Sequence, residues 1–185
     1  MDRENEALRS RTYSWHDPAP TARAGRGMSG LDYLRAMMRG DLPSPPICAT
    51  LGTRLVEVEE GRVVWEGRPA EYLYNPIATV HGGFAAALID SAVGCAIHTL
   101  LPAGVGYTTL ELKVNYVRPI AGDTGPVRCE GRVIHKGSRM ATAEGRVVAG
   151  DGRLYAHGST TCMIFASWPE RGPGSASASG GGGER

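Results

Sequence analysis

Asp90 is the residue of this sequence that most clearly suggests chemistry. It lies in the middle of residues 79–100, TVHGGFAAALIDSAVGCAIHTL, a stretch dominated by Ala, Val, Ile, Leu and Gly. On a helix, its neighbours three and four residues away would be small, apolar and without positive charge. Because an ionised carboxylate in a dry site is costly unless it is paired or hydrogen-bonded, we favour a general base or nucleophile. The structural alternative is that Asp90 caps or hydrogen-bonds a neighbouring loop.

Two glycines, Gly82 and Gly83, stand at the start of the same stretch, directly after His81. In the first turn of a helix they would leave backbone N–H groups uncovered, and these groups with the helix dipole can stabilise a developing negative charge. The alternative is steric, since glycines let another segment approach closely. For His81, an N-terminal cap or a packing residue is favoured over a catalytic base.

The elements that must position these residues follow from apolar periodicity. A short helix is expected after Ser29, and residues 47–69 predict two strands joined by a turn at Glu60-Gly61. The long helix follows, roughly over 82–101, and then four strands joined by short turns, which must be antiparallel. This order predicts an α+β domain in which a curved antiparallel sheet packs on one central helix.

The first strand after the long helix has a clear alternation. Leu110, Leu112, Val114 and Tyr116 recur at every second position and are expected on one face. Thr109, near the start of this strand, has an ordinary explanation in β-propensity.

Composition is that of an ordinary globular protein, with 42% hydrophobic and 21% charged residues. The net charge of +1 provides no global field that would attract nucleic acid or a membrane. The four cysteines are far apart in sequence and form no CxxC, so we expect small core thiols in a reducing cytoplasm and no metal site.

The chain is predicted to have three parts. Residues 1–27 are expected to be a flexible N-terminal arm without an apolar signal core, residues 28–167 the folded domain, and residues 168–185 a disordered Gly/Ser-rich tail. The apolar stretch is about long enough to cross a bilayer, but Asp90 and His98 within it favour a core helix and no membrane partner.

Several further residues have ordinary explanations when each is taken alone. Asn75 precedes Pro and is typical of a turn. Arg118, Lys136 and Arg139 lie near predicted strand ends, where most charges are simply solvated. They could instead meet the phosphates of an anionic carrier.

Together, NPIATVHGGFAAALIDSAVGCA and the following TTLELKVNYVRPI closely resemble the hotdog-fold acyl-CoA thioesterases, specifically the phenylacetyl-CoA thioesterase-like family. That pattern is an Asn, a short turn, His-Gly-Gly, a helix with an Asp nine residues after the His, and a Thr-rich strand ending in Arg-Pro. Here Asn75 lies six residues before His81 and Asp90 nine after it. The resemblance covers about residues 30–166. At Ala78 the family commonly has Gly.

The resemblance implies a hotdog fold, with the sheet wrapped around one long central helix. It also implies hydrolysis of acyl-CoA thioesters to free CoA and a carboxylic acid, without metal or cofactor. The site would lie at the subunit interface of a homodimer or homotetramer. Asp90 would be the nucleophile or the general base, and Gly82 of the facing subunit would donate its backbone N–H to the thioester carbonyl.

The resemblance implies further roles. Asn75 would orient the attacking water or the carbonyl, Thr109 would position Asp90 or the water, and His81 would support the loop. The substrate-binding residues that it implies are Gly83, Arg118, Lys136 and Arg139, the last three for the phosphates of CoA.

Helix spacing supports a shared site independently of the resemblance. Gly82 and Asp90 are eight residues apart, which is roughly 12 Å at 1.5 Å per residue. They therefore cannot act on one carbonyl within one chain. Two antiparallel copies would bring Gly82 of one beside Asp90 of the other, which predicts a dimer with two equivalent sites.

Two other functions were considered. A hotdog domain can bind acyl-CoA without turning it over, as a sensor or carrier, but such a protein has no need of a bare carboxylate beside the thioester. A hotdog hydratase would need an Asp and a His placed to act on a double bond, and the sequence has no such pair. The acyl group and the choice between dimer and tetramer stay open at this point.

Overall fold

The computed structural model describes residues 8–166, which form one six-stranded antiparallel sheet curved around a long helix. The helices are α1 (Pro18–Arg26), α2 (Gly30–Arg39), α3 (Pro46–Leu51) and α4 (Gly82–His98), with a 3₁₀ turn at Glu71–Leu73. The strands are β1 (Thr53–Glu59), β2 (Arg62–Gly67), β3 (Gly106–Tyr116), β4 (Val127–Lys136), β5 (Met140–Ala149) and β6 (Leu154–Phe165). The predicted α+β architecture is confirmed.

The strand order is β1-β2-β4-β5-β6-β3, so β3 lies at an edge although it directly follows α4 in sequence. The concave face of the sheet covers one side of α4, where the side chains of Ile89, Val93 and Ala96 are fully buried. The core therefore lies between this one helix and the sheet. The other side of α4 is only partly covered.

A row of three glycines lets the sheet approach the helix. Gly131, Gly145 and Gly158 are register partners on β4, β5 and β6. A Cβ on Gly131 would lie 2.3 Å from the carbonyl oxygen of Ala92, and one on Gly145 3.0 Å from Val93. The β4 backbone at Gly131 therefore lies so close to helix α4 that only glycine fits at this position.

Two helices lie where none was predicted. Helix α1 falls within the predicted arm, because Asp17 caps it by accepting from the Ala19 N–H at 2.9 Å and Pro18 presets its first turn. Helix α3 occupies the start of the predicted first strand, which instead begins at Thr53. Apolar residues in so short a segment do not distinguish helix from strand. The predicted Gly/Ser-rich tail lies outside the described residues.

Arg11, in the described segment before α1, contacts the folded domain. The Arg11 guanidinium donates at 2.6 Å to the carbonyls of both Ala49 and Thr50, and it lies 3.9 Å above the ring centre of Tyr72. The helix predicted after Ser29 is present as α2, with Ser29 accepting from the Asp32 N–H. The predicted turn at 60–61 is also present, with Gly61 at φ +72°.

Two details of the central region differ from the prediction. Helix α4 ends at His98 rather than near residue 101, because the next residues form tighter turns, with Leu100 N–H bonded to Ile97. In β3, a register shift between Thr109 and Glu111 breaks the predicted alternation. Leu110 is 54% exposed, whereas Leu112 and Val114 are half-buried and pack against the core; Tyr116, at the end of the strand, is also exposed.

The glycine row gives a stability prediction. Gly131→Ala should lower the free energy of unfolding by about 3 kcal/mol, the upper end for overpacking, because the added methyl meets backbone that cannot rotate away. Urea denaturation measures this loss. The matched control is Gly150→Ala, where a Cβ would meet nothing within 4 Å; similar losses in both variants would contradict the packing explanation.

Candidate functional site

Asp90 lies on the side of α4 that turns away from the sheet, and it is exposed. The expectation of a dry site is therefore wrong for the single chain, because the sheet covers only one side of the helix. The Thr109 hydroxyl donates to Asp90 Oδ1 at 2.9 Å. Among residues 8–166, Oδ2 makes no hydrogen bond, so this oxygen is available to a ligand or water.

Thr109 is positioned by the irregular start of β3. It pairs with Cys162 on β6, one residue before the register shift, and the Cys162 thiol lies 4.0 Å from its hydroxyl. A bulge re-aims side chains locally. The structure therefore brings together Asp90 and Thr109, two of the predicted site residues, which are nineteen positions apart.

The N-terminus of α4 is built as an open donor site. His81 is its N-cap, and His81 Nδ1 accepts from the Gly83 N–H at 2.9 Å. Phe84 N–H bonds to the His81 carbonyl. Gly82 N–H has no acceptor within residues 8–166, so it is the free donor of this first turn.

Asn75 folds the loop that leads into this turn. Its Oδ1 accepts from the N–H groups of Ile77 and Thr79, both at 3.1 Å, and its Nδ2 donates to Thr79 Oγ1 at 2.9 Å. Ala78 in the same loop has φ +59°, a left-handed conformation that favours glycine. A glycine would adopt this conformation without strain.

Sequence reasoning missed the role of Tyr116. Its hydroxyl donates to the Gly82 carbonyl at 3.2 Å, and its ring lies 3.0 Å from where a Cβ on Gly82 would be. A cavity of about 290 Å³ opens here. Its lining includes Val80, Ala85, Tyr116, Arg118 and Tyr155. The residue at 82 must therefore be small for this side of the helix to stay open.

Sequence reasoning also missed a second cavity, of about 360 Å³, between α2 and the C-terminal half of α4. Its lining includes Tyr33, Leu34, Met37, Trp65, Cys95, His98, Tyr107 and Thr109. His98, two helical turns beyond Asp90 in an apolar helix, was the available sequence signal. Burial lowers the pKa of His98 to about 4, so the imidazole is neutral at physiological pH.

The predicted basic residues lie at opposite ends of the sheet. Arg118 donates to the Leu154 carbonyl at 2.7 Å, whereas the Arg139 carbonyl accepts from Ile164 N–H. Ten residues of β6 separate these points, roughly 33 Å at 3.3 Å per residue. Lys136 lies on the Arg139 side. Within one chain, the structure does not bring Arg118 together with the other two.

Other site types were examined over residues 8–166. In that range no three His, Cys, Asp or Glu side chains are grouped so as to hold a metal ion. The four cysteines are free, and burial raises the pKa of the Cys95 thiol to about 12. No helix of the described part of the chain is long and apolar enough to cross a membrane.

Comparisons with known proteins identify the family and the fold. The sequence profile described as thioesterase superfamily matches residues 78–156. A "putative esterase" of Saccharolobus solfataricus is 33% identical over 104 residues, which is 56% of this chain and 72% of that protein. The chain belongs to the thioesterase superfamily, and its sheet and central helix are the hotdog fold.

Solved structures share this architecture. A "thioesterase family protein" from Silicibacter pomeroyi is 26% identical with a TM-score of 0.63, over 71% of this chain and 98% of that one. A "putative thioesterase, phenylacetic acid degradation-related protein" from Ralstonia eutropha JMP134 is 28% identical with a TM-score of 0.64, over the same shares of the two chains.

The Asn75 loop yields a prediction. Ala78→Gly should raise the free energy of unfolding by about 0.5 kcal/mol, because relief of a left-handed alanine, about 1–2 kcal/mol, exceeds the entropy that glycine adds to the unfolded chain. Chemical denaturation measures the change. The same substitution at the exposed helical Ala22 should instead cost about 1 kcal/mol. A loss at Ala78 would show that its backbone is not strained.

His98 should make the fold sensitive to acid. Its folded pKa of about 4 lies below the unfolded value, which is about 6.5. As pH falls from about 6.5 to 4, the unfolded chain binds the proton first, so stability falls across this window, by about 3 kcal/mol in all. Below pH 4 this group adds no further loss. The check is the pH dependence of unfolding in wild type and His98→Gln, in which this part of the slope should vanish.

Proposed function

We propose that the protein hydrolyses acyl-CoA thioesters to free CoA and a carboxylic acid. The observation that carries this is the Thr109–Asp90 hydrogen bond, which orients an exposed carboxylate on the open side of α4. The same open helix has an uncommitted N–H at Gly82. A carboxylate and an N–H donor are the two groups that thioester hydrolysis needs.

The two groups come from different subunits in this proposal. On the uncovered side of α4, Gly83 and Asp90 are exposed and Ala86 and Ala87 are half-buried, which gives a stripe of small residues beside the edge strand β3. A second copy packed antiparallel on this stripe places Gly82 of the partner subunit beside Asp90. One dimer then has two equivalent sites.

The reaction proceeds through a tetrahedral intermediate. The thioester oxygen lies against Gly82 N–H of the partner subunit, where the helix dipole stabilises the oxyanion. Asp90 either attacks the carbonyl carbon itself or takes the proton of the attacking water. The C–S bond then breaks and CoA leaves as a thiolate. Where a water attacked, this step gives the carboxylic acid directly; where Asp90 attacked, a mixed anhydride remains on Asp90, and water hydrolyses it to release the acid and restore the carboxylate. A thiolate is a good leaving group, so the step as proposed uses no strong acid, metal or cofactor.

The remaining predicted residues act around these two groups. His81 holds the first turn of α4 through Gly83 N–H, and Asn75 holds the loop before it, so both act on Gly82 by positioning. The hydrogen bonds of Asn75 within the loop favour this role over orienting a water.

In the proposed dimer, the basic residues that are far apart in one chain come together at one site. Arg118 lines the cavity beside Gly82, whereas Lys136 and Arg139 lie toward the end of the sheet that holds Thr109. Pairing the Gly82 end of one chain with the Asp90 end of the other brings both sets to one site, where they bind the phosphates of CoA. A CoA ester as substrate and four free thiols fit a cytoplasmic enzyme.

The other candidate is an acyl-CoA sensor or carrier of the same fold. It would share the cavities and the basic residues with the enzyme. The orientation of Asp90 by Thr109 favours hydrolysis, because a carboxylate beside a bound thioester contributes nothing to its affinity. Release of free CoA therefore distinguishes the hydrolase from the sensor or carrier, which would bind the ester without cleaving it.

A mixing experiment tests the shared site. Asp90→Asn should lower kcat/KM for acyl-CoA by about 10²–10⁴-fold, the range for losing a general base. Gly82→Pro should also inactivate, because proline has no N–H and because its ring meets the Tyr116 side chain; both effects remove the Gly82 half of the site. Dimers of one variant with the other contain one intact site, so co-expressed chains should recover about a quarter of wild-type activity, whereas separately purified homodimers stay inactive.

The mixing experiment and the single variants test different parts of the proposal. Activity absent from the mixture would contradict a site shared between subunits, and full activity of Asp90→Asn would overturn the role of Asp90. Asp123→Asn, the same change at an exposed acid in the loop before β4, is the control and should retain activity. Thiol release from an acyl-CoA panel is the assay, and unfolding curves confirm that each variant is folded.

A further inference from the structure

The second cavity, which lies between α2 and the C-terminal half of α4 and is called the cavity beneath α2 from here on, has no role in the mechanism above. We propose, on the basis of the proposed function, that it is the acyl pocket and that it selects a bulky, uncharged acyl group over acetyl and over acyl groups that end in a second carboxylate. The position of the cavity, its lining and its lack of charge support this selection.

The cavity lies next to the reacting group, from which Thr109 separates it. Thr109, whose hydroxyl holds Asp90, forms part of its wall. An acyl chain whose carbonyl carbon lies at Asp90 therefore has this cavity directly beside it. The first cavity lies at the other end of α4, beside Gly82, so in the proposed dimer the two cavities flank the thioester on its acyl and CoA sides.

The lining is aromatic and apolar. The His98 ring lies between those of Tyr33 and Tyr107, with ring centres 5.7 and 5.4 Å apart. Leu34 and Met37 on α2 also line the cavity, as do the hydroxyl-bearing Thr108 and Thr109. A volume of about 360 Å³ lies at the small end of ligand cavities, roughly 300–1,000 Å³. It suits one aromatic ring or a medium chain, whereas acetyl would leave most of the wall without contacts.

The cavity holds no charge that could pair with an anion. Its described lining contains no Lys, Arg, Asp or Glu. Burial lowers the pKa of His98 to about 4 and raises that of Tyr107, so both rings are neutral. The Asp90 carboxylate, bonded to Thr109 in the cavity wall, would repel a second anion, which burial in the cavity would also desolvate.

A matched pair of substrates tests the selection. Hexanoyl-CoA and adipoyl-CoA have the same number of acyl carbons, but adipoyl ends in a carboxylate. We expect kcat/KM for hexanoyl-CoA and phenylacetyl-CoA to exceed that for adipoyl-CoA at least a hundredfold. The kcat/KM values for these two esters should also exceed that for acetyl-CoA at least tenfold, since each methylene group buried in the cavity should raise kcat/KM about fourfold. Equal rates for hexanoyl-CoA and adipoyl-CoA would overturn the proposal.

Two variants of one wall residue test the position of the pocket. Cys95→Leu, which narrows the cavity, should lower the hexanoyl-to-acetyl ratio of kcat/KM at least tenfold. Cys95→Ala, which widens it, should raise the octanoyl-to-hexanoyl ratio at least threefold. Ratios within one variant do not depend on how much protein is folded. Unchanged ratios in both variants would place the acyl group elsewhere.

The proposed function and the pocket can fail separately. If wild type releases no CoA from any ester, the proposed function is wrong, and calorimetry of intact hexanoyl-CoA and adipoyl-CoA then tests the pocket alone. Tighter binding of hexanoyl-CoA, lost in Cys95→Leu, supports the pocket in a binding protein. Equal binding of the two esters overturns it.

Discussion

The close contact between α4 and the sheet is the constraint on which the rest of the structure depends. Gly131, Gly145 and Gly158 lie side by side on three neighbouring strands beneath the helix. At Gly131 the helix backbone itself occupies the space that a side chain would need. This row fixes which side of α4 faces the sheet, since Ile89 and Val93 meet the glycines directly. The orientation of every other residue of α4 follows from that contact.

The uncovered side of the helix is the direct consequence. A helix held against the concave face of one sheet keeps its other side open, and on this side Asp90 is exposed among small residues. The same carboxylate in the buried half would need a partner that the core does not provide. Since Gly82 and Asp90 lie at separate points of one rigid helix, complementing each with a second chain is the simplest way to complete a site.

The sequence predicted the parts of this arrangement that depend on local pattern. The start of α4 follows from the glycines and from His81, and the turn at 60–61 follows from residue type. The exposure of Asp90 could not be predicted, because periodicity identifies an apolar helix but not how much of it one sheet covers. The cavity beneath α2 was also beyond prediction, since its walls come from segments that are distant in sequence and meet only in the fold.

Strand β3 links Asp90 and Gly82, the two groups of the proposed site, more directly than the helix does. Thr109 near one end bonds to Asp90, and Tyr116 at the other end bonds to the Gly82 carbonyl. If two β3 edges pair antiparallel, Thr109 of one chain comes to lie near Tyr116 of the partner subunit, and the register of that pairing decides whether donor and carboxylate meet. Because β6 already fixes the faces of β3, a slip by one residue between the two edges would instead present the opposite face of the partner subunit's sheet. The shift between Thr109 and Glu111 therefore belongs to the site, because it sets where along the edge Thr109 reaches the helix.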